Sequence, residues 1–387
     1  MTSSSKSPLI NPKISNIDED AGYLKFVLSG VNVSIANSLR RIILAEIPCV
    51  VFKTTPYQDS KINIAKNTTR FNNEIVKQRL SCIPIHIDDM DFPIGDYLVE
   101  VDKINDSDTI EYITTEDFKI KNKKLNTYLN DGQTRKIFPK NDMTGQFIDF
   151  IRLQPKITDS VDGETLSLSC DLAIGTAKEQ GMFNVVSTCS YNYTQDMGRI
   201  EEEWSKYVAT KMSDKTADKE EIEMRKKDWM LLDAKKVVIP DSFDFVVETI
   251  GIYSNFKLVE LGCKILINKL QKLSTAIKNV DGVIAESENT MDNCYDIRME
   301  GEDYTIGKIV EYFMYYKYFL GMNRDGRDDK LLSYCGFIKQ HPHHSYSILR
   351  IAFYQIVDNQ MIVQCMDKSI RDAIEVYEKI KDSFMSE

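Results

Sequence analysis

Closely spaced cysteine pairs are missing from this chain. Its eight cysteines (Cys49, Cys82, Cys170, Cys189, Cys263, Cys294, Cys335 and Cys365) are scattered, and the nearest two, Cys170 and Cys189, stand 19 residues apart. A tight C-x-x-C turn is the usual way to organise two thiolates around a metal, so no cysteine metal site is expected. Reduced, buried cysteines acting as small hydrophobes are the expectation. Long apolar runs are missing as well. Stretches such as Ile42–Leu44 and Cys49–Phe52 are far too short to cross a bilayer. The start MTSSSKSPLINPK has no apolar core of the signal-peptide kind, which predicts an intracellular protein without membrane contact.

Positive charge is also in deficit. Lys and Arg number 49 against 59 Asp and Glu, a net charge of −10. Neutralising phosphates takes a concentrated basic surface, so a primary role in binding nucleic acid is disfavoured. The basic runs Lys119–Lys124 (KIKNKK) and Arg225–Lys227 (RKK) keep one alternative open, a nucleic-acid-binding accessory transcription factor. An enzyme is the other alternative, but no nucleophile stands beside a base in the sequence.

What is present reads as an α+β protein, long enough at 387 residues for two or three domains of roughly 100–200 residues. Residues 1–13, rich in Ser and Pro, predict a disordered tail. Tyr23–Ser29 alternates like a strand, Gly30 breaks it, and Ser34 is placed to cap a helix over Ile35–Ala45. Ile35, Leu39, Ile42 and Ile43 share one face of that helix. Residues 53–182 are punctuated by Pro and Gly and predict a β-rich unit inserted between 14–52 and 183–277. Within the second piece, 199–236 is strongly charged and reads as solvated helix or coil. Phe243–Glu248 predicts a strand and Lys257–Ile277 a long amphipathic helix. Residues 278–290 resemble a linker. The last module, 291–387, predicts a strand at Cys294–Met299, a helix from about Ile306, strands at Ser347–Tyr354 and Gln360–Cys365, and a final helix carrying Ile370, Tyr377 and Phe384.

The two ends echo each other. Ser29-Gly30 precedes VNVSIANSLRR, and Glu300-Gly301 precedes EDYTIGKIVEY, at a constant offset of 271 residues. Ser34 then matches Thr305, Ile35 matches Ile306, and Leu39 matches Val310. Each copy is a strand, a Gly turn, a hydroxyl cap and an amphipathic helix. Two such helices can bury their apolar faces on one another around a pseudo-twofold axis. Ile306, Ile309, Val310 and Phe313 are the candidate contacts on the second helix.

Val33–Leu44 (VSIANSLRRIIL) resembles the signature helix of the RNA polymerase alpha subunit superfamily, which includes bacterial alpha, archaeal D and the third-largest subunit of eukaryotic polymerase II. Asn67–Ile85 (NTTRFNNEIVKQRLSCIPI), Leu172–Phe183 (LAIGTAKEQGMF) and Phe243–Gly251 (FDFVVETIG) resemble further segments of that family in the same order. Gly301–Gly307 (GEDYTIG) and Gly336–Ile351 (GFIKQHPHHSYSILRI) resemble the small alpha-like partner, archaeal L or the eleventh subunit of polymerase II. Their union in one chain resembles the fused subunit of large cytoplasmic DNA viruses.

The resemblance implies an intramolecular pseudo-dimer of two alpha-type dimerisation modules carrying an inserted β-rich domain. It implies a non-catalytic assembly platform, since the family's nucleotidyl-transfer metal site lies on the largest subunit. The chain has no clustered Asp-x-Asp-x-Asp triad and no Gly-rich phosphate loop, in keeping with this. Partners are then the largest and second-largest catalytic subunits and small zinc-binding subunits. DNA is met only through the complex, with Mg and Zn held elsewhere and no cofactor on this chain. Arg40 and Arg41 are candidate contacts to the second-largest subunit, with Lys178 and Glu179 as similar candidates on the inserted unit. Lys308 and Glu311 replace Asn37 and Arg40 in the second copy, which implies different jobs for the two helices. Gln180-Gly181 stands where the family has His-Ala, and Asn323–Leu332 is an insertion. His341, His343 and His344 are read as a structural turn. A viral origin would place the protein in the host cytoplasm and the virion.

Overall fold

A computed structural model describes residues 10–89, 91–156, 158, 162–211, 219–279, 282–322 and 330–385. In chain order the first elements are Lys13–Asp20 (β1), Tyr23–Ser29 (β2), Val33–Ala45 (α1), Cys49–Val51 (β3), Ile62–Asn67 (β4), Asn73–Ser81 (α2), Tyr97–Ile104 (β5) and Glu111–Thr114 (β6). Next come Lys119–Asn122 (β7), Thr127–Tyr128 (β8), Asp131–Ile137 (α3), Asp149–Leu153 (β9), Thr165–Asp171 (β10), Ala173–Gly175 (β11) and Val186–Gln195 (β12). Met197–Lys211 (α4), Lys219–Leu231 (α5), Val238–Thr249 (β13), Asn255–Asn279 (α6), Ile284–Glu286 (β14) and Cys294–Glu300 (β15) follow. The chain ends with Tyr304–Met314 (α7), Leu332–Ile338 (β16), Tyr346–Phe353 (β17) and Asn359–Met385 (α8).

Two compact units result. The first takes residues 1–42, 188–248 and 259–387, and the second takes 43–187 and 249–258. The first unit holds two four-stranded sheets, in the orders β1-β2-β13-β12 and β14-β15-β17-β16. The offset of 271 residues relates their leading halves element by element. β2 maps onto β15, the starts of α1 and α7 coincide, and Gly30 and Gly301 both take positive φ, 75° and 69°. Glycine is required at Gly30, because a Cβ there would stand 2.4 Å from the Asn11 carbonyl oxygen. The trailing halves repeat at another offset. Ser29 pairs with Ser242 and Glu300 with Tyr346, and the next helices start at Asn255 and Asn359. Both steps are 104 residues, so the extra length of the first copy lies between its two halves.

Several local expectations change. The helices are capped not by the Ser34 and Thr305 hydroxyls but two positions before them. Asn32 Oδ1 accepts from Ser34 N at 2.9 Å and Asp303 Oδ1 from Thr305 N at 2.8 Å. The Asx side chain just outside each helix reaches the exposed amide, from an extended backbone at Asp303, while Ser34 and Thr305 already lie inside the first turn. The strand expected at Gln360–Cys365 is the first part of α8. Asp358 Oδ1 accepts from Met361 N at 2.8 Å, and the buried positions Ile362, Met366, Ile370, Ala373, Tyr377, Ile380 and Phe384 recur at helical spacing. The 278–290 linker is also shorter than expected. α6 runs to Asn279, and Ile284 already pairs with Ile297; residues 280–281 lie outside the described ones.

The described parts of 199–236 are mostly helical, as read, but not merely solvated. Trp204 and Trp229 meet at 5.5 Å between ring centroids, and Ile200 and Ala234 complete a small core. Residues 212–218 of this segment, 1–9 of the tail and 323–329 of the insertion lie outside the described residues.

The second unit centres on the antiparallel sheet β4-β10-β5-β7-β8, with β6 pairing β9 and β3 pairing β11. Alternating Val99, Val101, Leu166, Leu168 and Cys170 point into one core with Phe52, Phe118, Phe138 and Phe150. Val76 and Leu80 of α2 also join that core. Arg79 ties α2 down, its Nε donating to the Phe150 carbonyl at 2.6 Å.

Candidate subunit-assembly surface

The residues expected at the helix pairing are deeply buried. Ile35, Leu39, Ile42, Ile43, Ile306, Ile309 and Val310 are fully inaccessible and Phe313 nearly so. Polar links cross from the first copy to the second inside this apolar setting. Ser38 Oγ lies 2.8 Å from the Thr305 carbonyl oxygen and 2.7 Å from that of Ser34. Tyr377 Oη donates to the Ile35 carbonyl at 3.2 Å. Burial, with the neighbouring Cys263 thiol, drives the Tyr377 phenol well above its ordinary range, while the Ser38 contact pulls the other way. It stays a neutral donor at every physiological pH. Phe384 of α8 meets Phe26 of β2 edge-on at 4.9 Å, and Phe26 stacks on Phe245 at 5.0 Å.

Of the two candidate arginines, Arg41 has an intramolecular partner. Its Nη2 lies 3.0 Å from Asp303 Oδ2, the carboxylate that caps α7. Arg40 is half-buried; its Nε donates to Asn37 Oδ1 at 3.0 Å, and its charge acts on Cys189 and Tyr191 of β12. Among the described residues no carboxylate pairs with Arg40. It therefore keeps donor capacity for an external acid or carbonyl, the use that suits a planar guanidinium.

In the second unit Lys178 Nζ sits 2.7 Å from Glu46 Oε1, and Glu179 lies 3.6 Å from Lys53. Gln180 Nε2 donates to Thr55 Oγ1 at 2.7 Å, so this departure from the family pattern anchors its own loop. Lys178 and Glu179 remain half exposed. The two candidate pairs fall in different compact units.

Sequence reasoning missed Ser38, Tyr377, Lys269, Lys278, Glu302, Asp303 and Asp367. A charge set within an apolar helical stripe was the available signal for Asp367, which follows Met366 and precedes Ile370. Burial alone would raise its carboxyl, but hydrogen bonds from Lys278 and Ser274 outweigh that, and the charges of Lys278 and Arg371 add to them, holding it below the usual range.

The basic run at 119–124 is largely spent within the fold. Lys123 pairs with Asp171 at 2.9 Å and Lys124 with Asp96 at 2.7 Å. In the exposed turn 341–344, His343 N donates to His341 Nδ1 at 3.2 Å and His344 stacks on Tyr346. Among the described residues no group of three or more His, Cys, Asp or Glu is placed to hold a metal ion, and no helix is long and apolar enough to cross a membrane.

Residues 25–270 match the family model of the RNA polymerase Rpb3/Rpb11 dimerisation domain. The chain belongs to that family. Among similar proteins is "DNA-directed RNA polymerases I and III subunit RPAC1" of Bos taurus, 25% identical over 303 residues, covering 68% of this chain and 83% of the bovine one. The corresponding rpac1 of Dictyostelium discoideum is 37% identical over 82 residues, 21% of this chain and 22% of that one. "DNA-directed RNA polymerase subunit Rpo3" of Pyrobaculum arsenaticum is 32% identical over 74 residues, 19% of this chain and 26% of that protein. The Rpb3/Rpb11 match takes in most of β2, all of α1, β12 and β13 and most of α6, the whole second unit included. It ends before the second copy.

Proposed function

We propose that this Rpb3/Rpb11-family chain is a non-catalytic assembly subunit of a multisubunit DNA-directed RNA polymerase. In this reading the first copy is the alpha-like part and the second copy is its small alpha-like partner on the same polypeptide. The two form an intramolecular pseudo-dimer that serves as platform for the largest and second-largest catalytic subunits.

The observation that carries the proposal is the repeat itself. Strand, αL glycine, Asx cap and helix recur at one offset, and Ser38, Arg41 and Tyr377 bond from one copy to the other. Two separate chains would meet bimolecularly. Here α6 and β14 are only a few residues apart, which sets an effective concentration of order mM or higher and fixes the stoichiometry.

Arg40 is the contact to the second-largest subunit in this scheme, with Lys178 and Glu179 as further contacts. Small zinc-binding subunits dock beside the platform, DNA is met only through the complex, and this chain binds no metal of its own. The fused arrangement fits the polymerase of a large cytoplasmic DNA virus, which would place the protein in the host cytoplasm and in virions.

The test is to tag the chain in its native setting and identify what co-elutes. Recovery of two large polymerase subunits is expected. Recovery without them, or salt-sensitive DNA binding by the isolated chain, would favour an accessory factor instead. Stoichiometric zinc on the purified chain would overturn the metal-free assignment.

A further inference from the structure

We propose that the pairing of the two copies is specified by charge polarity, with cations on the first copy and anions on the second, so that like copies reject each other. This rests on the pseudo-dimer reading above.

Among the described residues, ion pairs join the copies at several places. Arg41 meets Asp303 at 3.0 Å, Lys269 meets Glu302 at 3.2 Å, and Lys278 meets Asp367 at 2.5 Å. In each the cation belongs to the first copy. Ser274 of the first copy adds a 2.7 Å hydrogen bond to Asp367. The Lys269–Glu302 pair is the most enclosed, both side chains being less than one-fifth exposed, where salt screens least.

The two offsets allow the alternatives to be written residue by residue. In a twofold pairing of first copy with first copy, the partner positions of Arg41, Lys269 and Lys278 are taken by Asn32, Val31 and Cys263. None of the three positions offers an anion. In a pairing of second copy with second copy, Asp303 faces Tyr312, Glu302 faces Ala373, and Asp367 faces Asp382. Two of these positions offer no cation and the third offers a like charge. An unpaired charge in a partly desolvated interface, or a like-charge juxtaposition, is costly, so both homotypic assemblies are disfavoured. The apolar stripes alone could not make this distinction, because Ile35 and Ile306, or Leu39 and Val310, are near equivalents.

The neutral hydroxyls fit the same scheme. Ser38 and Tyr377 correspond to Ile309 and Leu273 in the opposite copies, so each polar link is made once and not twice. A buried polar group that finds its partner in only one arrangement penalises the others.

The experiment uses the full chain with two pairs reversed, leaving Asp303 intact because it also caps α7. Variant one is K269E/K278E, variant two is E302K/D367K, and the third combines all four changes. Each double variant is expected to lose about 5 °C or more in Tm, with the loss shrinking in high salt, and the fourfold variant to regain most of it. Co-expression supplies a second readout that survives poor folding of either double variant alone. The first copy of variant one and the second copy of variant two have complementary charges, and so do the other two. Variants one and two are therefore expected to form a domain-exchanged 1:1 dimer by light scattering. Wild-type Tm in both double variants would overturn the proposal. So would a fourfold variant as unstable as the doubles combined, or no mixed dimer on co-expression. Because no other polymerase subunit is present, failure of the platform reading appears separately, as loss of catalytic-subunit recovery by a chain whose charge swap behaves as described.

Discussion

Asp303 performs two tasks that substitution can separate. Its Oδ1 accepts from Thr305 N at 2.8 Å, and its Oδ2 lies 3.0 Å from Arg41 Nη2. The cap is worth about 1 kcal/mol. The ion pair has side chains 41% and 27% exposed, so screening limits it to about 0.5 kcal/mol. Asp303→Ala removes both and is expected to cost about 1.5 kcal/mol. Asp303→Asn keeps an acceptor for Thr305 N, as Asn32 does in the first copy, and is expected to cost only the pair, about 0.5 kcal/mol. The assay is urea unfolding with a double-mutant cycle against Arg41→Met, run at low salt and again at about 1 M salt, where screening is strong. High salt is expected to erase the Asn effect and leave the cap portion of the Ala effect. Equal cost for Asn and Ala, or a salt-insensitive Asn effect, would refute this division.

Other expectations follow from the same geometry. Gly307→Ala would place a Cβ 2.1 Å from Phe337 Cε2. Overpacking should then outweigh the helix-propensity gain and destabilise the protein by about 1 kcal/mol or more, measurable by denaturant titration; an unchanged midpoint contradicts it. Cys82 is exposed, while burial pushes the Cys49, Cys170 and Cys189 thiols up to about 12. Thiol-reagent kinetics on the native protein should therefore show Cys82 reacting first, with these three protected until unfolding. Asp296 and Asp367 have carboxyls held below the ordinary range: burial raises each, but hydrogen bonds outweigh it, from Arg350 and Ser287 at Asp296 and from Lys278 and Ser274 at Asp367. Depressed carboxylates stabilise fully above their unfolded value of about 3.9 and lose that contribution as pH falls through the folded one. Replacing Asp367 by Asn should thus flatten the acid limb of a stability–pH curve below about pH 4 and leave its shape near neutrality unchanged.

The elements legible in the sequence were those whose local pattern and packing agree. β2, α1, α6 and β15 alternate or recur cleanly, and the offset of 271 residues is legible in the sequence itself. The caps were misplaced because a hydroxyl and an Asx side chain are both good caps, and only backbone geometry shows which stands at the extended position. Gln360–Cys365 (QMIVQC) is a short, mostly apolar run, which a window of six residues cannot distinguish from the start of a long helix. Trp204 and Trp229 bury each other across a segment whose charge count suggested solvent. At the candidate site, the apolar stripe of Ile35 to Ile43 was plain from spacing. The Arg41–Asp303 link and the polarity of the pairs depend on which residues the fold brings together from different elements, in the case of Arg41 and Asp303 from positions 262 apart, and no local pattern encodes that.

The central claim is that this chain organises the two catalytic subunits. The direct measurement is co-expression of those subunits with and without it, followed by light scattering and subunit stoichiometry. One complex containing one copy of this chain with both large subunits is expected, and Arg40→Glu is expected to weaken recovery of the second-largest subunit. Large subunits that assemble equally well without the chain would contradict it.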